Sequence, residues 1–337
     1  MTRIDDVARL AGVSTATVSR ALRGLPSVSA ETRAKVARAA AELGYVASPS
    51  ASRLAGGRTG SVGVVVPRIT RWFFATVVEA AEEVLHRAGW DLLLYNLGGR
   101  EQERRRVFHT QALHKRVDAV MLVATPLADE DLAAVAGLDV PGVTVSSGTP
   151  VAGWPSIRID DVAAARTAVA HLVALGHTRI AHISSHSDKL SFAAHVDRRR
   201  GYREAMRDAG LAVDPALVVD DEFTVAGGER ATRELLARGE VPTAVFAACD
   251  EMAMGAIRAL REARLRVPDD VSVIGIDDHD LSAALGLTTV AQPAAEQGRR
   301  AAATVLDLLR GGTARQDGSQ ALPTRLVVRD TTAAPRS

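Results

Sequence analysis

From Ser61 onward, short apolar runs alternate with stretches of helical periodicity, and that alternation limits the possible folds more than any other feature. The strand-like runs are Val62–Val66, Asp91–Tyr95, Ala119–Val123, Gly142–Val145, Ile180–Ser184, Ala244–Ala247, Val271–Ile276 and Arg325–Val328. Between them, helix-like stretches lie near Phe74–Arg87, Glu101–His114, Val162–Leu175, Arg198–Ala209, Gly227–Ala237, Met252–Ala263 and Glu296–Leu309, and many stop at a glycine. Strands that are apolar on both faces and alternate with helices imply parallel sheets covered on both sides. The units are too many for one ordinary sheet. The pattern therefore predicts an α/β body of two doubly wound lobes, with a cleft facing the carboxyl ends of the strands. A chain of 337 residues leaves room for a small domain ahead of that body.

The first two dozen residues predict what that domain is. Ile4, Val7, Ala8 and Ala11 fall at helical spacing, so a short helix buries one face and stops at Gly12. Ser14 is a suitable N-cap for a second helix that buries Val18, Ala21 and Leu22. Thr15, Ala16, Thr17, Ser19 and Arg20 remain outside: small or polar side chains with one long cation. Two short helices joined this way form a helix-turn-helix, whose second helix fits a DNA major groove. A third helix begins at the N-cap Ser29, runs through Val36, Ala40 and Leu43, and stops at Gly44.

Charge supports this division. Nine Lys/Arg against four acids give residues 1–60 a net charge of +5, leaving −4 on the remainder. A basic head on a mildly acidic body suits a protein whose head alone meets phosphates. One cysteine excludes an internal disulfide and a cysteine-rich zinc site. The first residues lack a secretory apolar region and no apolar run approaches a membrane span, so a cytoplasmic protein without membrane contact is expected.

Asp6-Val-Ala-Arg-Leu-Ala-Gly-Val-Ser14, Thr17-Val-Ser-Arg20, Glu42-Leu-Gly-Tyr45 and Val271-Ser-Val-Ile-Gly-Ile-Asp-Asp278 carry a resemblance spanning nearly the whole chain. The chain resembles the lactose-repressor/galactose-repressor (LacI/GalR) family of bacterial transcription regulators. The resemblance implies a helix-turn-helix headpiece over 1–47, a hinge helix and linker over 48–60, and an effector-binding and dimerisation domain over 61–337. That domain would resemble periplasmic sugar-binding proteins: lobe one about 61–160 plus 293–322, lobe two about 161–291 plus 323–337. It further implies a homodimer on a near-palindromic double-stranded operator. Thr15, Ala16 and Arg20 would face the major groove, and Ser14, Thr17 and Ser19 the phosphates. Arg23, in place of a usual Asn, would add a phosphate contact. Leu54 matches the family's leucine wedge, which enters the minor groove and kinks the DNA. No leucine heptads follow the last strand, so a dimer is expected, with apolar helix surface around Phe74–Leu85 as part of its face.

Polar residues directly after strands are candidates for effector contact. Asp277 follows Val273–Ile276, Asp250 follows Ala244–Ala248, and Arg198 lies beside an expected helix start, with Arg199 and Arg200 expected in solvent. Matching the family's motifs, Arg198, Asp250, Asp277 and Gln292 occupy effector-facing polar positions, and Phe73 and Phe223 aromatic ones. Carboxylates accept paired sugar hydroxyls, a guanidinium donates to them, and aromatic faces cover the ring. The chain departs from the family at Arg71-Trp72, where Asn-Pro is usual, and at Cys249, which replaces a common Asn. No cofactor and no catalysis are expected. Gly-rich phosphate loops and nucleophile elbows are missing, and His182 and His186 on one strand would stand about 13 Å apart, too far for one metal. The expected function is a repressor of carbohydrate-utilisation genes released by a small sugar-type inducer. The alternative is a regulator activated by a corepressor such as a nucleobase.

Overall fold

A computed structural model describes residues 2–22, 25–45, 58–109, 112–185, 193–239, 241–312 and 319–336. Arg23, Leu54 and the expected hinge segment Ser48–Leu54 lie outside the described residues. The described residues divide into two compact units. The first covers the chain up to Ser61 with Lys115–Asp118, and the second covers Val62–His114 with the remainder from Ala119.

In the first unit, helices α1 (Ile4–Ala11), α2 (Thr15–Leu22) and α3 (Ala30–Glu42) close around Val7, Val18, Ala21, Val28, Val36 and Ala40. Gly12 stops α1 with φ of 66°, a left-handed conformation that lets the chain turn into the second helix. Ser14 caps α2 by accepting from Thr17 N at 3.2 Å, and Ser29 caps α3 by accepting from Thr32 N at the same distance. Asp118 accepts from Thr59 N at 2.9 Å, Thr59 Oγ1 at 3.0 Å and Gly60 N at 2.5 Å, fixing the chain just before the first strand.

The second unit holds two six-stranded sheets. Lobe one carries β1 (Ser61–Val66), β2 (Asp91–Asn96), β3 (Ala119–Val123), β4 (Gly142–Val145), β5 (Ser156–Ile159) and β11 (Ser319–Leu322), in the order β11-β5-β4-β3-β1-β2. Lobe two carries β6 (Ile180–Ser184), β7 (Val218–Asp220), β8 (Ala244–Ala247), β9 (Ser272–Asp277), β10 (Thr288–Ala291) and β12 (Arg325–Val327), in the order β12-β10-β9-β8-β6-β7. Helices α4 (Trp72–Arg87), α5 (Glu101–His109), α6 (Asp129–Ala136) and α11 (Ala294–Leu309) belong to lobe one. Lobe two has α7 (Asp161–Ala174), α8 (Ala193–Asp208), α9 (Val225–Ala237) and α10 (Asp250–Glu262). Central strands β1, β3, β4, β8 and β9 are buried along their whole length, as parallel strands between two helical layers must be. The chain passes between the sheets at Asp160, at Gln292-Pro293 and at Pro323-Thr324. Among the described residues no helix is long and apolar enough to cross a membrane.

Several expectations change. Strand β12 runs antiparallel to β10, pairing Val290 with Leu326, at the edge of a sheet whose other described pairings are parallel. Strands β5, β7, β10 and β11 and helix α6 went unpredicted, because three or four residues such as Ser156-Ile-Arg-Ile159 carry too little apolar signal. Phe74, Val77, Ala81 and Leu85 of α4 are buried in their own lobe's core, where α4 packs on α11, while Val78 and Val84 of the same helix are half-buried.

Candidate effector cavity and DNA-reading helix

A cavity of about 310 Å³ lies between the two lobes, at the carboxyl ends of their strands. Trp72, Phe73 and Phe74 from the start of α4 and Phe223 from before α9 supply aromatic walls; Arg198, Asp277 and Gln292 supply polar groups. These five sequence candidates, Phe73, Arg198, Phe223, Asp277 and Gln292, therefore share one site. Ser146, Asp161, Cys249 and Glu251 line it as well.

One hydrogen-bonded chain crosses the site. Ser146 Oγ donates to Gln297 Oε1 at 2.8 Å, Gln297 Nε2 to Gln292 Oε1 at 3.1 Å, and Gln292 Nε2 to Asp277 Oδ1 at 2.6 Å. Arg198 Nη1 stands 3.8 Å from the same Asp277 oxygen, while its Nε donates to Asp161 Oδ1 at 2.8 Å and Nη1 to Ala248 O at 2.5 Å. Burial lifts the Asp277 carboxyl well above the usual carboxylate range, against the attraction of Arg198 and the hydrogen bond from Gln292. Burial also opposes the charge on Arg198, but Asp161 and Asp277 outweigh it. The Cys249 thiol is pushed up by the same burial and is an inert wall.

The backbone is strained at this place. Ala124 (φ 40°), Ser146 (φ 48°) and Asp277 (φ 146°) each end a strand, line the cavity and occupy conformations that favour glycine; Asp278 follows at 59°. Such strain persists only where surrounding structure enforces it, and it gathers at ligand sites.

Asp250 is a correction. Its carboxylate does not line the cavity. Fully buried, it accepts from Thr289 Oγ1 at 2.6 Å, Ser282 Oγ at 2.7 Å and His279 N at 3.0 Å, with Oδ1 against Gly275, where a Cβ would lie 2.2 Å away. The first turn of α10 aims Asp250 at its own sheet and leaves the next residue, Glu251, to face the cleft. Arg198 also differs in setting: α8 begins at Ala193, so Arg198 lies inside the helix. Arg199 pairs with Asp220 and donates to Ser185 O at 3.2 Å, contrary to the solvated role expected. The Gln297–Ser146 part of the chain was missed because Gln297 sits mid-helix in a pattern that resembles any amphipathic helix.

In the first unit, Ser14, Thr15, Ala16 and Arg20 are exposed on α2, and Thr17 and Ser19 are half-buried beside them. Arg20 Nε donates back to Ala16 O at 3.2 Å, and Ser14 Oγ and Thr17 Oγ1 share a hydrogen bond of 2.9 Å. Small side chains with a single cation leave the helix slim enough for a major groove.

The pattern of bacterial regulatory proteins of the lacI family matches residues 3–48, and the periplasmic binding protein-like domain matches residues 169–332. The chain is 34% identical over 339 residues to the HTH-type transcriptional regulator DegA of Bacillus subtilis, covering 98% of each. It is 34% identical over 332 residues to the HTH-type transcriptional repressor CytR of Escherichia coli, covering 98% of this chain and 96% of the relative. The Lac repressor dimer bound to operator and the anti-inducer ONPF is similar at a TM-score of 0.86 and 32% identity, over 99% of both chains. The transcriptional regulator CelR in complex with cellobiose is similar at 0.73 and 35%, over 98% of this chain and 100% of CelR. With a helix-turn-helix ahead of paired, mostly parallel sheets and identity to regulators along almost its full length, the chain belongs to the LacI family of bacterial regulatory proteins and is a DNA-binding transcriptional regulator.

Proposed function

We propose that the protein is a homodimeric, cytoplasmic repressor of carbohydrate-utilisation genes, released from a near-palindromic operator when a small sugar binds between its lobes. The observation that carries the effector reading is the pairing of Asp277 with both Gln292 and Arg198 beneath the aromatic walls Phe73 and Phe223. An acceptor flanked by donors matches vicinal hydroxyls, and aromatic faces match the apolar side of a sugar ring. Arg198 faces Asp161 and Asp277, and Arg71 faces Glu251, so these charges already have partners, which favours a neutral ligand. The resemblance to a cellobiose-bound regulator supports the same class.

On the DNA side, Thr15, Ala16 and Arg20 read bases, and Ser14, Thr17, Ser19 and Arg23 hold phosphates. Leu54 enters the minor groove. One headpiece reads few base pairs, so two-fold pairing supplies the affinity, as in the operator-bound Lac repressor dimer. The apolar groove of Met254, Ile257 and Leu285 on lobe two is the face offered to the second copy.

A thermal-shift screen of sugars, sugar phosphates and nucleobases tests the reading, since a ligand that binds only the folded state raises the melting temperature. A hit confined to neutral sugars that also weakens operator binding supports it. A nucleobase hit that tightens operator binding replaces it with the corepressor reading.

A further inference from the structure

Two consecutive residues of lobe one reach across the cleft. The Arg71 guanidinium donates to the Glu251 carboxylate, and the Trp72 and His279 rings lie 5.2 Å apart between centroids, with planes at 31°. Arg71 and Trp72 are the very residues at which the loop after the first strand departs from the family's Asn-Pro.

Both halves are built into their own lobes. Arg71 precedes α4, accepting from Ala75 N at 3.0 Å, so the helix start fixes where the two side chains project. On lobe two, Asp250 holds the backbone of His279 by its hydrogen bond at 3.0 Å and directly precedes Glu251 in the first turn of α10. One buried carboxylate thus sets the positions of both lobe-two partners. The Arg71 and Glu251 side chains are 18% and 19% exposed, sheltered enough for Coulomb attraction to exceed its value in open water. Arg71, Trp72 and Glu251 all line the cavity, so the contacts lie on its rim.

We propose that Arg71–Glu251 and Trp72–His279 form a latch that draws the lobes together over the cavity by the chain's own side chains. Resting on the reading of the cavity as the effector site, the latch sets the lobe equilibrium that an effector must shift. A ligand that replaces neither contact leaves that equilibrium to the latch; a ligand that competes for Arg71 or Trp72 opens it.

Electron–electron distance measurement on the full-length chain tests this without an effector. Nitroxides are placed at Q102C and A226C, exposed positions on the first turns of α5 and α9, which start beside cavity-lining Gly99 and Thr224 of opposite lobes. The buried Cys249 is checked for labelling in the parent chain. The single reversals R71E and E251R are expected to shift the distribution toward a longer, broader population, and the double reversal R71E/E251R to restore the parental one. W72A is expected to lengthen it already at low salt and to lengthen further as salt rises, since Arg71–Glu251 remains, and the parental chain is likewise expected to lengthen with salt. The conservative R71Q and E251Q serve where a reversal melts early. Single variants with the parental distribution, or a double reversal as open as either single, overturn the latch. Failure of the ligand screen leaves this result untouched, and failure of the latch leaves the sugar reading intact.

Discussion

Gln292 gives its amide hydrogen to Asp277 and takes one from Gln297, so a single side chain at a crossing between lobes joins a lobe-one helix to the carboxylate of lobe two. Both amide ends are used, which fixes the orientation of Gln292 and in turn the oxygen of Asp277 that stays available. A ligand that pulls on Asp277 therefore pulls on a network reaching Ser146 in the other lobe.

Asp277→Ala removes the acceptor shared by Gln292 and Arg198. Loss of a hydrogen bond to a charged group costs roughly 1.5–3 kcal/mol, so effector affinity is expected to fall about tenfold or more. Operator affinity without effector is expected to remain nearly intact, because the headpiece contacts are unchanged. The check is operator release titrated with the sugar found by the thermal screen. Release at wild-type concentrations removes Asp277 from the switch.

Arg20→Ala takes away the one long donor on the exposed face of α2. Operator binding is expected to weaken by roughly 1–3 kcal/mol, with preference relaxed at one base pair in each half-site. Selection from a randomised operator library measures both. Unaltered selectivity assigns base reading to other residues.

Asp118→Ala leaves the backbone N–H groups of Thr59 and Gly60 without their acceptor. About 1–2 kcal/mol of local stability is expected to be lost there, which opens the preceding peptide bond to protease. Limited trypsin digestion followed by mass spectrometry is expected to show faster cleavage after Arg58 than in the parent chain. Equal cleavage rates would falsify the clamp.

His182 is fully buried, stacked between Tyr202 and Phe246 at centroid distances of 4.9 and 4.8 Å, with Nδ1–H donating to Phe246 O at 3.1 Å. Burial drives its pKa down to about 3, so the folded chain holds it neutral. Below the ordinary histidine value near ~6.5 the unfolded chain takes up a proton that the folded chain refuses. Stability is therefore lost as pH falls from that value toward about 3. At pH ~5 the loss is about 2 kcal/mol. His182→Phe is expected to flatten the fall in melting temperature between pH ~6.5 and ~5, whatever its effect at neutral pH. A parallel fall in both proteins assigns acid sensitivity elsewhere.

The headpiece was legible because its signals are local. Ser14 and Ser29 are caps, Gly12 is a stop, and the apolar spacing of Val7, Val18 and Val36 needs no knowledge of distant residues. The lobes were legible through strands such as Val120-Met-Leu-Val123, apolar on every residue. Strand β10, Thr288-Thr-Val-Ala291, carries mixed signals and was invisible, since its hydroxyls are buried by contacts with Asp250 and Thr332 that only the assembled sheet supplies. The same limit explains Asp250. A carboxylate at the end of a strand, before a helix, looks the same in sequence whether it faces a ligand or its own sheet. What separates Asp250 from Asp277 is that Gly275 lets the first approach the β9 backbone, while a left-handed bend at Asp277 itself turns the second outward.

The last two strands of the chain, β11 and β12, finish different sheets with only Pro323 and Thr324 between them. On the ribosome this has a simple result. The three-helix headpiece emerges early and closes its core from residues 4–45, whereas neither sheet is complete until β11 and β12 have left the exit tunnel. Synthesis therefore passes through a period in which the nascent chain carries a folded helix-turn-helix and an unfinished effector domain. A premature stop before residue 319 would release such a species: a head without a governed grip, and with exposed sheet edges that invite aggregation before it finds DNA.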